Sequence, residues 1–272
     1  MRKIDLIALD LDGTLTNSQK VITGPTHRGL IDLQRSGKTV VLASGRPING
    51  VSYLADELEL KRYGGYTLSF NGARITRCSD GQIIRNQTLP PDVIRPIWEY
   101  VKTIPGLDLI SYTDTQILSG IRNNDFNLVE ARNCRIDIVP VEDFPSVLDF
   151  PVNKMIVSGD PGLLQTVIGP LQEQYAGKLS IYFSEPFYLE IMPLNVDKAS
   201  SLDFLLKTIG LTAENLICCG DSYNDISMIE YAGLGVAMAN AQPVVKKAAD
   251  CITASNDEDG VLRIIEKYMM QT

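Results

Sequence analysis

The sequence holds a single histidine, His27, and no Cys-x-x-Cys pair. That leaves no ligand set for a zinc site. Its five cysteines are Cys78, Cys134, Cys218, Cys219 and Cys251. An odd number, with two adjacent in an apolar segment, argues against a disulfide framework and for buried free thiols in a reducing compartment. Positive charge is also scarce: 25 Lys and Arg stand against 33 Asp and Glu, for a net charge of −8. Nucleic-acid and anionic-membrane surfaces need a concentrated positive field, so neither partner is expected, although one basic pocket for a small anion remains compatible. No uncharged apolar stretch is long enough to span a bilayer. Residues 1–9 read as a first strand with no signal peptide before it, so the expectation is a cytoplasmic protein, a monomer or weak homo-oligomer.

What the sequence does have is an ordinary globular composition, 44% hydrophobic and 21% charged over 272 residues, enough for one large domain or two smaller ones. The first third alternates apolar strands with helices. Ile4–Leu11 is a continuous apolar strand, Thr23-Gly-Pro-Thr starts a helix that Gly37 closes, and Thr39–Ala43 is a second buried strand. A helix from Pro47 and a strand over Tyr66–Phe70 follow. The last third resumes the rhythm with a helix over Ser200–Ile209, strands at Leu216–Cys219, Gly235–Met238 and Cys251–Ala254, and helices between and after them. Strands apolar on both faces and separated by helices predict a doubly wound parallel α/β domain.

The middle predicts something else. A helix over Pro91–Thr103 precedes two alternating strands, Leu107–Tyr112 and Gln116–Ser119. A second helix, Gly162–Tyr175, precedes Leu179–Phe183 and Tyr188–Met192. Helix–strand–strand twice over suggests an inserted α+β unit with a mostly antiparallel sheet. The expected division is a core of residues 1–84 and 193–272 around an insert of residues 85–192, whose two crossings could act as hinges.

Carboxylates gather where such a core binds ligands, at the carboxyl ends of its strands. Asp10 and Asp12 end the first strand, Ser44-Gly-Arg46 the second and Asn71-Gly72 the third; Gly220-Asp-Ser-Tyr-Asn-Asp225 ends the strand Leu216–Cys219. An isolated Asp at a strand end caps a loop more often than it binds a ligand. Four on converging apolar strands reverse that weighting, because the cluster would repel itself without a cation. Oxygen-only ligands favour a hard cation such as Mg²⁺. The backbone N–H groups of the Asp12-Gly13-Thr14 turn and of Gly45, with the Ser44 hydroxyl, could then cradle a phosphate. Lys198 reads as a surface lysine in isolation, but opposite a carboxylate–phosphate pair it supplies the missing positive charge. A carboxylate fixed at the strand end suits attack on phosphorus, and one two residues on suits proton transfer.

The stretches Asp10-Leu-Asp-Gly-Thr-Leu15, Leu42-Ala-Ser-Gly-Arg46, Lys198 and Gly220–Asp225 resemble, in order, the four motifs of the haloacid dehalogenase superfamily. Gly235-Val-Ala-Met-Ala-Asn-Ala241, Ser255-Asn-Asp-Glu-Asp-Gly-Val261 and Asn71-Gly-Ala73 resemble its Cof-type branch of sugar-phosphate phosphatases. The resemblance implies a fold with a Rossmann-like core and a cap. It makes Asp10 the phosphoryl acceptor, Asp12 the acid/base and Lys198 the charge-balancing residue. Ser44, Gly45, Arg46, Asn71 and Asn224 fall to phosphate and substrate binding. The Mg²⁺ ligands would be Asp10, Asp12 through its backbone carbonyl, Asp221 and Asp225, with Asp225 and Asn224 orienting the metal shell. Ala199 departs from the glycine usual in the branch but removes no functional group. The implied activity is hydrolysis of small phosphorylated metabolites through an aspartyl-phosphate. A hexose-phosphate phosphomutase and a non-catalytic phosphometabolite sensor are the alternatives. Specificity would lie in the insert, expected to close over the crevice. There Arg122, Arg132, Arg135 and Lys154 read first as solvated charges, Glu185 and Tyr188 as a turn reaching a sugar hydroxyl, and Trp98 as core.

Overall fold

The computed structural model describes residues 4–122 and 124–270; residues 1–3 of the expected first strand lie outside the described residues. The chain opens with β1 (Leu6–Leu9), α1 (Gly24–Arg35), β2 (Thr39–Ala43), α2 (Ile48–Glu57), α3 (Leu60–Tyr63) and β3 (Tyr66–Ser69). Helix α1 starts where Thr23 accepts a hydrogen bond from the Thr26 amide and Pro25 fills a first-turn position that needs no N–H donor. A ribbon the sequence reading passes over, β4 (Arg74–Arg77) and β5 (Gln82–Asn86), follows β3.

Next come α4 (Pro91–Lys102), β6 (Asp108–Tyr112), β7 (Gln116–Ser119), α5 (Asp125–Cys134), β8 (Asp137–Pro140), α6 (Phe144–Val147), β9 (Met155–Ser158), α7 (Pro161–Gln174), β10 (Leu179–Glu185) and β11 (Tyr188–Pro193). The chain finishes through α8 (Lys198–Thr208), β12 (Leu216–Gly220), α9 (Ile226–Tyr231), β13 (Leu234–Ala237), α10 (Pro243–Ala248), β14 (Cys251–Ile252) and α11 (Gly260–Tyr268).

These elements form two compact units. One comprises residues 1–45, 51–85 and 197–272; the other comprises residues 46–50 and 86–196. The first unit carries an eight-stranded sheet in the order β14-β13-β12-β1-β2-β3-β4-β5. Its strands from β14 to β3 run parallel, and β4 turns antiparallel against β3. Apolar side chains cover both faces. Leu9, Leu42 and Ile217 pack on one side with α1 and α11, and Leu6, Ala8 and Val41 pack on the other with α8. Burial on both faces is what the unbroken apolar strands require. Strand order runs one way from β1 through β2 and β3 and the other way through β12, β13 and β14, so the reversal falls beside β1.

The second unit holds a six-stranded sheet, β10-β11-β9-β6-β7-β8, antiparallel except for the β7–β8 pair. Helices α4 and α7 cover its apolar face; Val93, Ile97, Leu164 and Leu171 pack with Leu109, Val157 and Leu189. Trp98 belongs to that core and donates its indole N–H to Gly120 O at 2.7 Å. The two expected helix–strand–strand passages are present, and between them lie α5, β8 and β9, which the sequence reading omits. Among the described residues no helix is long and apolar enough to cross a membrane.

Candidate active site

Asp10 sits one residue beyond β1, where its amide still donates to Cys219 O of β12 at 3.1 Å. The central strand thus holds the carboxylate in place, and the side chain is buried. Asp221 and Asp225 arrive from the end of β12. One carboxylate oxygen from each of Asp10, Asp221 and Asp225 lies within 4.8 Å of the others.

Lys198 closes the cluster. Asp197 caps α8 by accepting from the Ser200 amide at 2.8 Å, so Lys198 is the first residue of the helix. Its Nζ donates to Asp10 Oδ1 at 2.7 Å and to Asp225 Oδ1 at 2.6 Å, with no exposed surface. The side chain is thus not at the surface, and a fully buried ammonium between two carboxylates is a counterion.

Burial pushes the Asp10 carboxyl well above the usual range; Asp225 and Asp221 reinforce the rise while Lys198 opposes it. Burial, aided by Asp225, also raises Asp221, against the Thr14 hydroxyl bond that favours its charge. For Lys198, burial disfavours the charge, but Asp10 and Asp225 outweigh it and hold the ammonium above its normal value. One cation thus faces three carboxylates, Asp10 and Asp225 buried and Asp221 partly so. An all-oxygen donor set with uncompensated negative charge fits a hard divalent ion and does not fit a thiolate- or imidazole-seeking metal.

Backbone geometry brings these groups together. Gly13 adopts φ +84°, and a Cβ there would stand 2.5 Å from Asp221 Oδ2, so only glycine lets the two loops approach. Thr14 Oγ1 donates to Asp221 Oδ1 at 2.8 Å. Asp225 Oδ2 accepts from the amides of Asp221 and Ser222, each at 2.9 Å. Sequence reasoning puts Asp225 among the metal ligands. In the structure both its oxygens already carry protein hydrogen bonds, which shape the Asp221 turn and hold Lys198.

Asp12 Oδ1 takes Lys20 Nζ at 2.6 Å, and at 38% side-chain exposure it is the open member of the Asp10/Asp12 pair. Ser44 and Asn71 are buried and linked, the Asn71 amide donating to Ser44 O at 2.9 Å. Asn224 Nδ2 donates to Asn71 Oδ1 at 3.0 Å, tying the end of β3 to the turn after β12. Gly45 passes so close to Asn71 Oδ1 that a Cβ would meet it at 3.0 Å. Arg46 is buried in the other unit's segment 46–50, with Nη1 donating to Gly50 O at 3.1 Å. Sequence reasoning assigned no side-chain role to Thr14, and none at all to Ser222 or Lys20. The signal for Thr14 was its place in the Asp-Gly-Thr turn.

In the inserted unit, Arg122, Arg132, Arg135 and Glu185 are exposed. Tyr188 is buried and donates its hydroxyl to Phe126 O at 2.6 Å. Lys154 corrects its expectation as a solvated charge: it is 3% exposed and pairs with Glu190 Oε1 at 3.1 Å, while Tyr182 donates to Glu190 Oε2 at 3.2 Å. Burial opposes the Lys154 charge, but Glu190 and Glu130 outweigh it and hold its ammonium above the usual range. Its partner lies 36 residues away, beyond the reach of local pattern.

The family model for haloacid dehalogenase-like hydrolases matches residues 7–265. A haloacid dehalogenase-like hydrolase from Bacteroides thetaiotaomicron superposes with TM-score 0.94 at 43% identity, covering 97% of this chain and 99% of that one. The structure of TM0651 from Thermotoga maritima gives TM-score 0.85 at 33% identity, over 98% of each chain. Among curated proteins, the 5-amino-6-(5-phospho-D-ribitylamino)uracil phosphatase YcsE of Bacillus subtilis is 30% identical over 98% of this chain and 96% of its own length. With Asp10, Lys198 and the acidic turn Asp221–Asp225 converging as they do, the chain belongs to the haloacid dehalogenase-like hydrolases and is a phosphatase of that family.

Proposed function

We propose that the protein hydrolyses phosphomonoesters of small metabolites, sugar phosphates foremost, through an aspartyl-phosphate on Asp10. The observation that carries this reading is the buried Lys198 ammonium bridging Asp10 and Asp225, with the Asp221 carboxylate beside them. Asp10 attacks phosphorus, forming the carboxyl O–P bond as the ester P–O bond breaks. Asp12 donates its proton to the departing oxygen. It then takes a proton from the water that attacks the acyl phosphate, which releases inorganic phosphate and restores both carboxyl groups.

Ser44 Oγ and the Gly45 amide bind the phosphoryl oxygens, Asn71 and Asn224 brace that cradle, and Lys198 balances the charge that accumulates on Asp10. Arg46 serves the substrate side. Mg²⁺ fits Asp10, Asp221 and the Asp12 carbonyl, with Asp225 completing the anionic wall; when bound it supplies neutralisation of the phosphate and carboxylate charge. YcsE, by its name, dephosphorylates a phosphoribityl compound, which supports a phosphorylated polyhydroxy carbon chain as the substrate class.

The test is phosphate release from a panel of phosphorylated sugars and sugar alcohols, with Asp10→Asn as the blank and EDTA against added Mg²⁺. Metal-dependent release by the wild type alone is expected. Isomerised sugar phosphate without free phosphate would replace hydrolysis with a mutase, and turnover undiminished by Asp10→Asn would end the aspartyl-phosphate mechanism.

A further inference from the structure

Two stretches of the first unit have no part in the chemistry so far: Gly235–Ala241 and Ser255–Val261. Both reach the loop that follows β1. Beyond Asp10 that loop has little pairing of its own, an isolated bridge between Asp12 and Thr16 and a few bonds back to Asp10 and Leu11. Its outward backbone groups are taken up by the two stretches. Gly13 O accepts from Asn240 Nδ2 at 2.8 Å, and Thr16 O accepts from Asn256 Nδ2 at 2.9 Å. The Asn256 amide donates to Asn240 Oδ1 at 3.1 Å, so the two asparagines form one chain of bonds. Farther along, Ser18 donates from its amide and hydroxyl to Asp257 at 2.8 and 2.6 Å, and Thr26 Oγ1 donates to Asp259 at 2.8 Å.

We infer that Asn240 and Asn256 are positioning residues for the proton-transfer step: a clamp on the backbone either side of Thr14 that aims the Asp12 carboxyl group. This rests on the reading of Asp12 as acid/base. Asp10 needs no such help, because β1 and β12 hold its backbone and Lys198 its side chain. Asp12 is different. It stands next to Gly13, the residue type with the widest backbone freedom, and its carboxylate meets the exposed Lys20. An acid that must meet the leaving oxygen within hydrogen-bond reach loses rate steeply when displaced by an ångström. An amide suits this job because it offers donor and acceptor at once: Asn240 takes the Asn256 N–H on its oxygen and gives its own N–H to Gly13 O.

The experiment compares kcat/KM for two esters. One is p-nitrophenyl phosphate, whose leaving group departs without a proton; the other is the sugar phosphate that wild type turns over fastest. Asn256→Ala and Asn240→Ala are each measured, with Asp12→Asn as the reference for a lost acid. Amide exchange is followed in the same proteins. We expect the sugar ester to lose about tenfold more than the nitrophenyl ester in all three variants. In the two asparagine variants, exchange over residues 13–18 should speed up about fivefold, the worth of one hydrogen bond, while β1 stays protected. Equal losses on both esters, no loss, or unchanged exchange over residues 13–18 would overturn the clamp. A wild type that hydrolyses neither ester, or an Asp12→Asn variant without the bias, would instead refute the acid/base reading beneath it, and the exchange data keep the two failures apart.

Discussion

Asp10→Asn should make the metal-free protein more stable, although under the proposed mechanism it should also abolish turnover. In Asp10→Asn a buried carboxylate becomes a neutral amide of nearly the same shape. At a separation of 4.8 Å or less, each of the two neighbouring carboxylates repels Asp10 by at least about 3.5 kcal/mol at an effective dielectric of 20. The Lys198 bond at 2.7 Å returns about 6 kcal/mol on the same scale. Coulomb terms therefore nearly cancel, and the desolvation cost of the carboxylate, itself about several kcal/mol, decides the sign. A gain of about 2 kcal/mol in EDTA at neutral pH follows after relaxation, or about 4–8 °C in melting temperature for a chain of this size.

The sign has its own check in pH. Burial and the neighbouring carboxylates raise the folded pKa of Asp10 above its unfolded value. Its stabilising contribution is thus fully present below the unfolded pKa and is lost as pH rises through the folded one. The variant, which cannot ionise, keeps what the wild type loses, so the gap should close on acidification and widen toward neutrality. Differential scanning fluorimetry in EDTA across that range is the assay. Under the proposed assignment of Mg²⁺ to Asp10 and Asp221, saturating Mg²⁺ should narrow or reverse the gap. A variant less stable than wild type in EDTA at pH 7, or a gap independent of pH, would refute the claim that Asp10 is held against its own desolvation.

Lys198→Met should act in the opposite direction, leaving two buried carboxylates without their counterion at a cost of about 3–5 kcal/mol, read by chemical denaturation in EDTA. Lys154→Met and Glu190→Leu should each cost about 3–5 kcal/mol and the double variant far less, so a double-mutant cycle that proved additive would argue against the buried pair. Gly13→Ala places a methyl group against Asp221 Oδ2 at a positive φ. It should cost about 1–3 kcal/mol in stability and shift the Mg²⁺ titration of melting temperature to higher concentration.

The first unit was legible because burial writes itself into sequence there. Leu6–Leu9 and Thr39–Ala43 are apolar on both faces, and the polar residues at their ends could only be cap or ligand. Asp10, Asp12 and Asp221 could be found by following strand ends. The inserted unit was less legible for a definite reason. Helix α5 carries Asn127 and Glu130 on its buried side, so it shows no clean apolar stripe. Lys154 and Glu190 are buried as a pair, and a charge whose partner is distant in sequence looks solvated. The Asp225 bonds to Lys198 and to the Asp221 turn were hidden likewise: motif order names the residues but not which oxygen faces which donor.

The central strand β1 pairs on one side with β2, made soon after it, and on the other with β12, whose residues enter the chain some 210 positions later in register. Asp10 likewise waits 188 residues for Lys198. During synthesis β1 therefore stands with one open edge, the Asp10 carboxylate lacking its counterion, while the whole inserted unit emerges. In that interval β1 offers an unpaired strand edge of the kind that invites edge-to-edge aggregation.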